Sequence, residues 1–281
     1  MSLPVEPLRL TISIVIYRQD YKVLAECIES VITAIRYLRN AIPSVEETTI
    51  FVINNGATTD VNCGSMLQLE AQAREINSEI TLIEGQGNIG YGAAHNLAIE
   101  KLDGGVHVLI NPDVALSSDC LYNGIRFFSE NDTAVCLSPQ CYNFSGERQY
   151  LCKQYPSIFS LALRGISSAN LSRIFQKKLD HYEMKCADFD KAFEARLVSG
   201  CFMMCKVDAL KLVRGFEEKY FLYFEDFDLS LRLGALGKLF YVPSMKIKHA
   251  GGGAAKKGLI HILMFMRSAI RFFSSHGWKY F

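Results

Sequence analysis

The first part of the chain alternates short β-branched runs with longer stretches whose apolar positions recur every three or four residues. Leu10 to Ile16 (LTISIVI) predicts a strand, and residues 21–38 carry apolar side chains at helical intervals. A second strand at 49–53 ends in Asn54-Asn55-Gly56, and a mostly polar helix covers 61–77. A third strand at 80–83, a loop and helix over 88–101 and a fourth strand at 106–110 complete a β-α-β-α-β-α-β series. Strands alternating with helices of this length imply an α/β fold: a Rossmann-like, mostly parallel sheet flanked by helices, with ligands bound at the carboxyl ends of the strands. Polar residues fall at those ends: Tyr17 to Asp20 after the first strand, Asn54-Asn55 after the second, glycines after the third and Asn111-Pro112-Asp113 after the fourth. Four strand ends therefore converge on one cleft.

Beyond Asp113 the pattern predicts a helix at 117–129 and a strand at 134–138. Residues 140–190 lose periodicity and become basic and aromatic, with Arg148, Lys153, Arg164, Arg173, Lys177, Lys178 and Lys185, which suggests a mobile acceptor-side region. Order returns with a strand over 196–205, a short helix at 207–213 and a strand at 239–242. Between the last two, Tyr220-Phe-Leu-Tyr-Phe-Glu225-Asp226-Phe227-Asp228 sets three carboxylates behind a run of aromatics, and Leu229, Leu233 and Leu236 continue it at helical spacing up to Gly237. Residues 256–281 predict a C-terminal amphipathic helix in which Leu259, Ile262, Leu263, Phe265, Met266, Ile270, Phe272 and Phe273 are accompanied by Lys256, Lys257, Arg267, Arg271 and Lys279. Such a helix either packs on the sheet or rests on a membrane surface. The chain shows no internal repeat.

At 281 residues with 49% apolar content the chain can bury a sizeable core. Thirty basic against 29 acidic residues give a net charge of +1, so no global field favours nucleic acid as a partner. The nine cysteines are scattered through apolar segments and read as reduced thiols of a cytoplasmic protein. Cys201 and Cys205 lack a second pair at zinc spacing. Leu10 to Ile16 lacks the cleavage context of a signal peptide, and no run reaches the length of a membrane span. The expected place is the cytoplasm, with peripheral contact at the inner membrane left open.

Several constellations carry candidate chemistry, each beside a plainer use. First-turn acids such as Glu225, Asp226 and Asp228 commonly cap a helix, yet one cap needs one residue, and a carboxylate tuned by burial and an acidic neighbour suits a general base. Asn111-Pro112-Asp113 is ordinary turn chemistry, and it also offers a carboxylate to a hard cation whose shell substrate phosphates complete. His249, ahead of three glycines, suits a structural role, a diphosphate contact or a metal ligand. Gly85-Gln-Gly87-Asn88-Ile-Gly90 matches G-x-G-x-x-G, but it follows the third strand and lacks the ribose-binding acid of a dinucleotide site. The loop is better suited, with Tyr91 to Asn96, to let backbone approach a ligand closely.

Tyr17, Gly87-Asn-Ile-Gly90-Tyr91-Gly, Asn111-Pro-Asp113-Val, Ser199-Gly-Cys-Phe-Met, Gly215-Phe216 and Phe221-Leu-Tyr-Phe-Glu225-Asp226-Phe-Asp-Leu resemble, in order and spacing, the inverting family 2 glycosyltransferases of GT-A fold. The likeness is to the rhamnosyltransferase-like branch that builds bacterial polysaccharides such as O-antigen, lipopolysaccharide and capsule. The resemblance implies a single GT-A domain over residues 1–255, with a nucleotide-sugar-binding half at 1–115 and an acceptor and catalytic half at 116–255, followed by the basic helix at 256–281. It implies Asp226 as catalytic base beside Glu225, donor contacts from Tyr17, Asn54, Asn88, Gly90, Tyr91, Asn111 and Asp113, and Mg²⁺ or Mn²⁺ at Asp113 with His249. Asn54 stands where the family has a base-reading aspartate, a departure that bears on nucleobase preference. The implied donor is a nucleoside-diphosphate sugar, dTDP-rhamnose first, and the implied acceptor a glycan or polyprenyl-linked hydroxyl. A non-catalytic sugar-nucleotide binder and a nucleotide-cofactor oxidoreductase are the alternatives.

Overall fold

The computed structural model describes residues 8–18, 20–45, 47–57, 63–165, 175–251 and 258–281. Its centre is a ten-stranded sheet ordered β3-β2-β1-β4-β11-β6-β12-β5, with β7 paired to β6 and β9 to β12. Strand β1 (Leu10–Ile16) runs parallel to β2 (Thr48–Asn54) and β4 (Val106–Ile110), and β2 runs parallel to β3 (Ser78–Ile83). Side chains alternate across a strand, so each strand serves two cores. Ile12, Ile14, Ile50, Val52, Val108 and Ile110 enter one core, while Val15, Phe51, Ile53 and Leu109 enter the other.

The first core is closed by α1 (Tyr21–Ala41), α2 (Cys63–Arg74) and α4 (Cys120–Glu130), and the second by α3 (Tyr91–Ile99). In α1 the buried residues Leu24, Ile28, Val31, Ile35 and Leu38 recur at three and four positions, which turns one stripe inward. Asp20 serves as its N-cap, its carboxylate accepting from the Lys22 N–H at 2.8 Å, so this residue starts a helix rather than lining the cleft. Residues 61 and 62 of the expected second helix lie outside the described residues.

The second half departs from the parallel pattern. Strand β11 (Phe202–Lys206) lies antiparallel between β4 and β6 (Ala134–Tyr142), and β12 (Lys238–His249), far longer than expected, runs parallel to β6 and antiparallel to β5 (Val114–Leu116). The single strand expected at 196–205 is two. Strand β10 (Leu197–Val198) pairs with β8 (Cys152–Lys153) in a small separate sheet, and the chain breaks at Ser199-Gly200-Cys201 before β11.

The middle segment is structured where it is described, contrary to the expected mobile region. It holds β7 (Arg148–Gln149), β8, α5 (Ile158–Gly165), α6 (Gln176–Tyr182) and β9 (Phe193–Ala195), elements too short to show a period in sequence. Phe189 packs on Tyr150, Phe193 and Tyr241, and Glu183 pairs with Lys153 and Lys185. Arg173 and the side chain of Arg164 lie outside the described residues.

Helices α7 (Val207–Leu212) and α8 (Glu225–Gly234) join the second core. The C-terminal helix α9 (Leu259–His276) begins three residues later than expected, and Lys256 and Lys257 lie outside the described residues. A third cluster forms where Phe272 and Phe273 of α9 meet Tyr155, Tyr220 and Phe224.

Candidate functional site

Sheet register builds the first half of the site. Ile110 at the end of β4 pairs with Phe202 of β11, which puts Asn111 beside Cys201, and the Asn111 N–H donates to the Cys201 carbonyl at 2.9 Å. Val114 N–H then donates back to the Asn111 carbonyl, closing the Asn-Pro-Asp turn. Because β5 follows at once and pairs Val114 with His249 of β12, the turn delivers Asp113 to the end of β12, with Asp113 Oδ1 3.3 Å from His249 Nε2. The Gln149 amide fixes this imidazole: its Nε2 donates to the His249 carbonyl at 3.0 Å, so its oxygen is left to accept from Nδ1, also at 3.0 Å. With Nδ1 as the protonated nitrogen, Nε2 faces the carboxylate either as a second donor or with a lone pair that a cation between them would share.

Among the described residues no group of three or more His, Cys, Asp or Glu could hold a metal. One carboxylate and one imidazole held by an outer amide nevertheless suit a divalent ion whose remaining positions go to water and phosphate.

The second half begins with two aromatic residues in the left-handed region, Tyr223 (φ 69°) and Phe224 (φ 66°). That conformation costs a bulky residue of order 1 kcal/mol or more, and packing holds it here: Phe224 is 4% exposed against Phe227, Phe265 and Phe272. The N-cap Phe224 offers no side-chain acceptor to α8, so the three acids behind it are not a redundant cap. They have three different environments. Asp226 Oδ2 accepts from the Gly200 N–H at 2.8 Å and Oδ1 from the Phe227 N–H at 2.9 Å. Asp228 is bound at Oδ2 by Arg232 Nε and at Oδ1 by His276 Nε2, each at 2.7 Å. Glu225 is buried, and its Oε2 has no hydrogen-bond partner.

Gly200 explains the strand break. Its N–H goes to Asp226 and its carbonyl accepts the Tyr91 hydroxyl at 2.6 Å, so neither serves a ladder. Desolvation raises the Asp226 carboxyl above its ordinary value, with the two backbone N–H bonds opposing the rise. Glu225 is pushed up to about 8, by burial first and then by Asp226. Near neutral pH Glu225 therefore holds its proton beside Asp226. Burial also raises the Tyr91 phenol and the Cys201 thiol, and both Asp113 and Asp226 add to each rise. The two acidic sites thus act on the same two side chains.

The other expected donor residues are dispersed around this centre. Gly90 is buried at φ 95°, and a Cβ there would lie 2.5 Å from the Phe221 carbonyl oxygen, so glycine is required for the loop to dock on 220–224. Tyr91 N–H donates to that same carbonyl. Asn88 is exposed and caps Gly90 N–H, and Tyr17 is 48% exposed with Arg18 over its ring. Asn54 is fully buried and spends its amide locally, accepting from Gly56 N–H and donating to the Ala57 carbonyl. His95 and Asn96 do not approach the cleft as the loop pattern suggested. Asn96 holds both backbone groups of Phe216, and His95 is fully buried with Ser13 and His107, which in turn reaches the half-buried Thr11. The G-x-G-x-x-G loop follows β3, the edge strand, and not the first strand of the sheet.

Sequence inspection assigned no role to Gly200, Gln149, Arg232 or His276. For Arg232 a signal existed, since it lies four residues beyond Asp228 on one helix face. Gln149 acts through a pairing between distant segments and left no local trace, while Gly200 stood in the Ser199-Gly-Cys-Phe-Met motif without a role of its own.

Residues 11–212 match the family described as "Glycosyl transferase family 2". The chain is 27% identical over 174 residues to "Rhamnosyltransferase WbbL" of Escherichia coli (strain K12), a match covering 58% of this chain and 61% of that protein. It is 28% identical over 192 residues to "N-acetylglucosaminyl-diphospho-decaprenol L-rhamnosyltransferase" of Mycobacterium tuberculosis (strain CDC 1551 / Oshkosh), covering 60% of this chain and 58% of the relative. The match thus spans about three fifths of each relative's length. Among solved structures, that of GalNAc-T7 with UDP, GalNAc and Mn²⁺ superposes over 96% of this chain and 51% of its own with a TM-score of 0.62 at 13% identity. That likeness is one of fold, and it is the GT-A type expected from the sequence.

Proposed function

This chain belongs to glycosyl transferase family 2, and from that membership we propose that it is an inverting, metal-dependent glycosyltransferase of cell-surface polysaccharide synthesis. The donor is a nucleoside-diphosphate hexose or deoxyhexose, with dTDP-rhamnose first, a choice supported by the two rhamnosyltransferase relatives. The acceptor is a glycan or polyprenyl-linked hydroxyl at the cytoplasmic face of the membrane, in keeping with the decaprenol-linked name of one relative.

The carrying observation is Asp226. It is half-buried, raised in pKa, oriented through both oxygens by backbone N–H groups, and it shares Tyr91 and Cys201 with the Asp113–His249 pair. Such a carboxylate accepts the proton of the incoming hydroxyl as its oxygen bonds to the anomeric carbon. The bond from that carbon to the diphosphate breaks, the electron pair leaves with the nucleoside diphosphate, and attack from the opposite side inverts the centre. A divalent ion, when bound, supplies positive charge to the leaving diphosphate, and Asp113 and His249 are the residues that would hold it. Glu225, protonated near neutral pH, adds no second negative charge beside the base. Asn111 and the glycine loop shape the donor side.

A panel of nucleoside-diphosphate sugars with Mg²⁺ or Mn²⁺ and a polyprenyl-diphosphate saccharide acceptor tests this. Metal-dependent release of nucleoside diphosphate with formation of an inverted glycoside is expected. A chain that binds donor and ion yet releases nothing in any combination is a binding protein, and the proposal is then wrong.

A further inference from the structure

Helix α9 has two unlike faces. Its inner face is bolted to the catalytic loop: Phe272 is fully buried against Phe224, Ser268 Oγ donates to the Leu222 carbonyl at 2.8 Å, Tyr223 OH bonds His261 Nδ1 at 2.9 Å, and His276 reaches Asp228. Its outer face is apolar and open. Leu259, Ile262, Leu263, Met266 and Ile270 follow one another at helical intervals and are 78%, 54%, 69%, 53% and 53% exposed. An apolar stripe of this size on a folded chain marks an interaction surface.

The charge pattern chooses the occupant. From 258 to 281 the sequence has no Asp or Glu, while Arg267 flanks the stripe and Arg271 and Lys279 follow. Trp278, Tyr280 and Phe281, just beyond the helix, are also exposed, and are aromatics of the kind that settle at headgroup depth. Pairing the stripe with its own copy would set cations against cations with no carboxylate to answer them. An anionic lipid surface offers the complementary charge and takes the apolar stripe as well. Among the described residues no helix, this one included, is long and apolar enough to cross a bilayer.

We propose that the outer face of α9 docks the protein on an anionic lipid surface and, through its inner face, holds the Phe221–Phe224 loop and the Glu225–Asp226 pair beside that surface. The proposal deepens the glycosyltransferase reading, on which its use for a lipid-linked acceptor rests. The docking itself does not depend on turnover.

The test is sedimentation of the whole chain with phosphatidylglycerol-containing vesicles and with phosphatidylcholine vesicles, at low and high salt. Preferential, salt-sensitive binding to the anionic vesicles is expected. Leu263→Glu with Ile270→Glu, at exposed positions, should keep the circular dichroism spectrum and lower the partition coefficient about tenfold or more. Arg267→Glu should lower it about fivefold and weaken the salt dependence. Release of nucleoside diphosphate from soluble donor, followed in parallel, should be unchanged in both variants. No vesicle binding, equal binding by the double variant, or a dimer that the double variant abolishes without any vesicle binding would each overturn the docking. Vesicle binding without turnover of any donor would instead remove the enzymatic reading and leave the docking standing.

Discussion

Asp113 and Asp226 both act on Tyr91 and Cys201, but the chain holds them by opposite means. Asp113 sits on a turn between two strands, next to an imidazole oriented by Gln149, and its partners come from strand register. Asp226 sits at the start of a helix, next to a second acid in a desolvated wall, and its partners are backbone N–H groups. Cation-ready nitrogen and oxygen gather at the first; burial at the second disfavours negative charge and makes the carboxylate more basic. The same side chain thereby meets two environments, and the proposed roles of cation ligand and base rest on that difference. Asp228, two residues on, shows a third outcome: paired with Arg232 and His276, it anchors α8 to α9.

The comparison breaks most directly at Asp226. Asp226→Asn retains the shape and the bond from Gly200 but cannot accept a proton, so turnover should fall about a thousandfold while donor affinity, measured by calorimetry, stays within a factor of two or so. Near-normal turnover would place the base elsewhere. Asp113→Asn should act on the other side: about a hundredfold loss of turnover, accompanied by weaker Mn²⁺ binding by electron paramagnetic resonance. Unchanged ion affinity in that variant would remove Asp113 from the cation site. Gln149→Leu releases the His249 ring without touching either acid, and Mn²⁺ affinity should drop about tenfold. Loss of turnover with ion affinity intact would show that Gln149 acts by some other route.

Glu225→Gln sharpens the contrast with the smallest change in rate, a few-fold near neutrality. In the native chain the rate should rise as Asp226 ionises and fall as pH passes about 8, where Glu225 ionises beside it. The variant should keep the acid limb and lose the alkaline one; an unaltered alkaline limb would exclude Glu225 as its source. Stability follows the same group. Its folded pKa, about 8, is raised above the ordinary 4.5, so the stability it contributes is fully present below the ordinary carboxylate range and is lost as pH rises through 8. The melting temperature of the variant should therefore decline less than that of the native chain over that interval.

Much of the fold, and the position of both acids of the candidate site at the ends of elements, was legible before any coordinates. Short β-branched runs placed β1, β2 and β4, helical spacing placed α1, and polar residues collected at the strand ends because a parallel sheet opens there. Asp113 and Asp226 stood out because carboxylates next to apolar runs need a reason. The local pattern misled where a residue's partners are remote. Asp20 looked like a cleft residue and caps a helix, Asn54 holds its own turn, and residues 196–205 looked continuous because nothing nearby reveals that Gly200 turns its backbone to Asp226 and Tyr91.

The sequence by itself determined which segments of the first half become strands and helices, and which residue types wait at the ends of those strands, because apolar periodicity and turn chemistry act over a few neighbouring residues. Only the tertiary structure decided which acid meets a histidine, which is desolvated and which is paired. Those outcomes depend on the antiparallel insertion of β11, on the β5–β12 register and on the seating of α9 against Phe224, contacts between segments far apart in the chain, and it is the solvent and charge around a carboxylate that set what it can do.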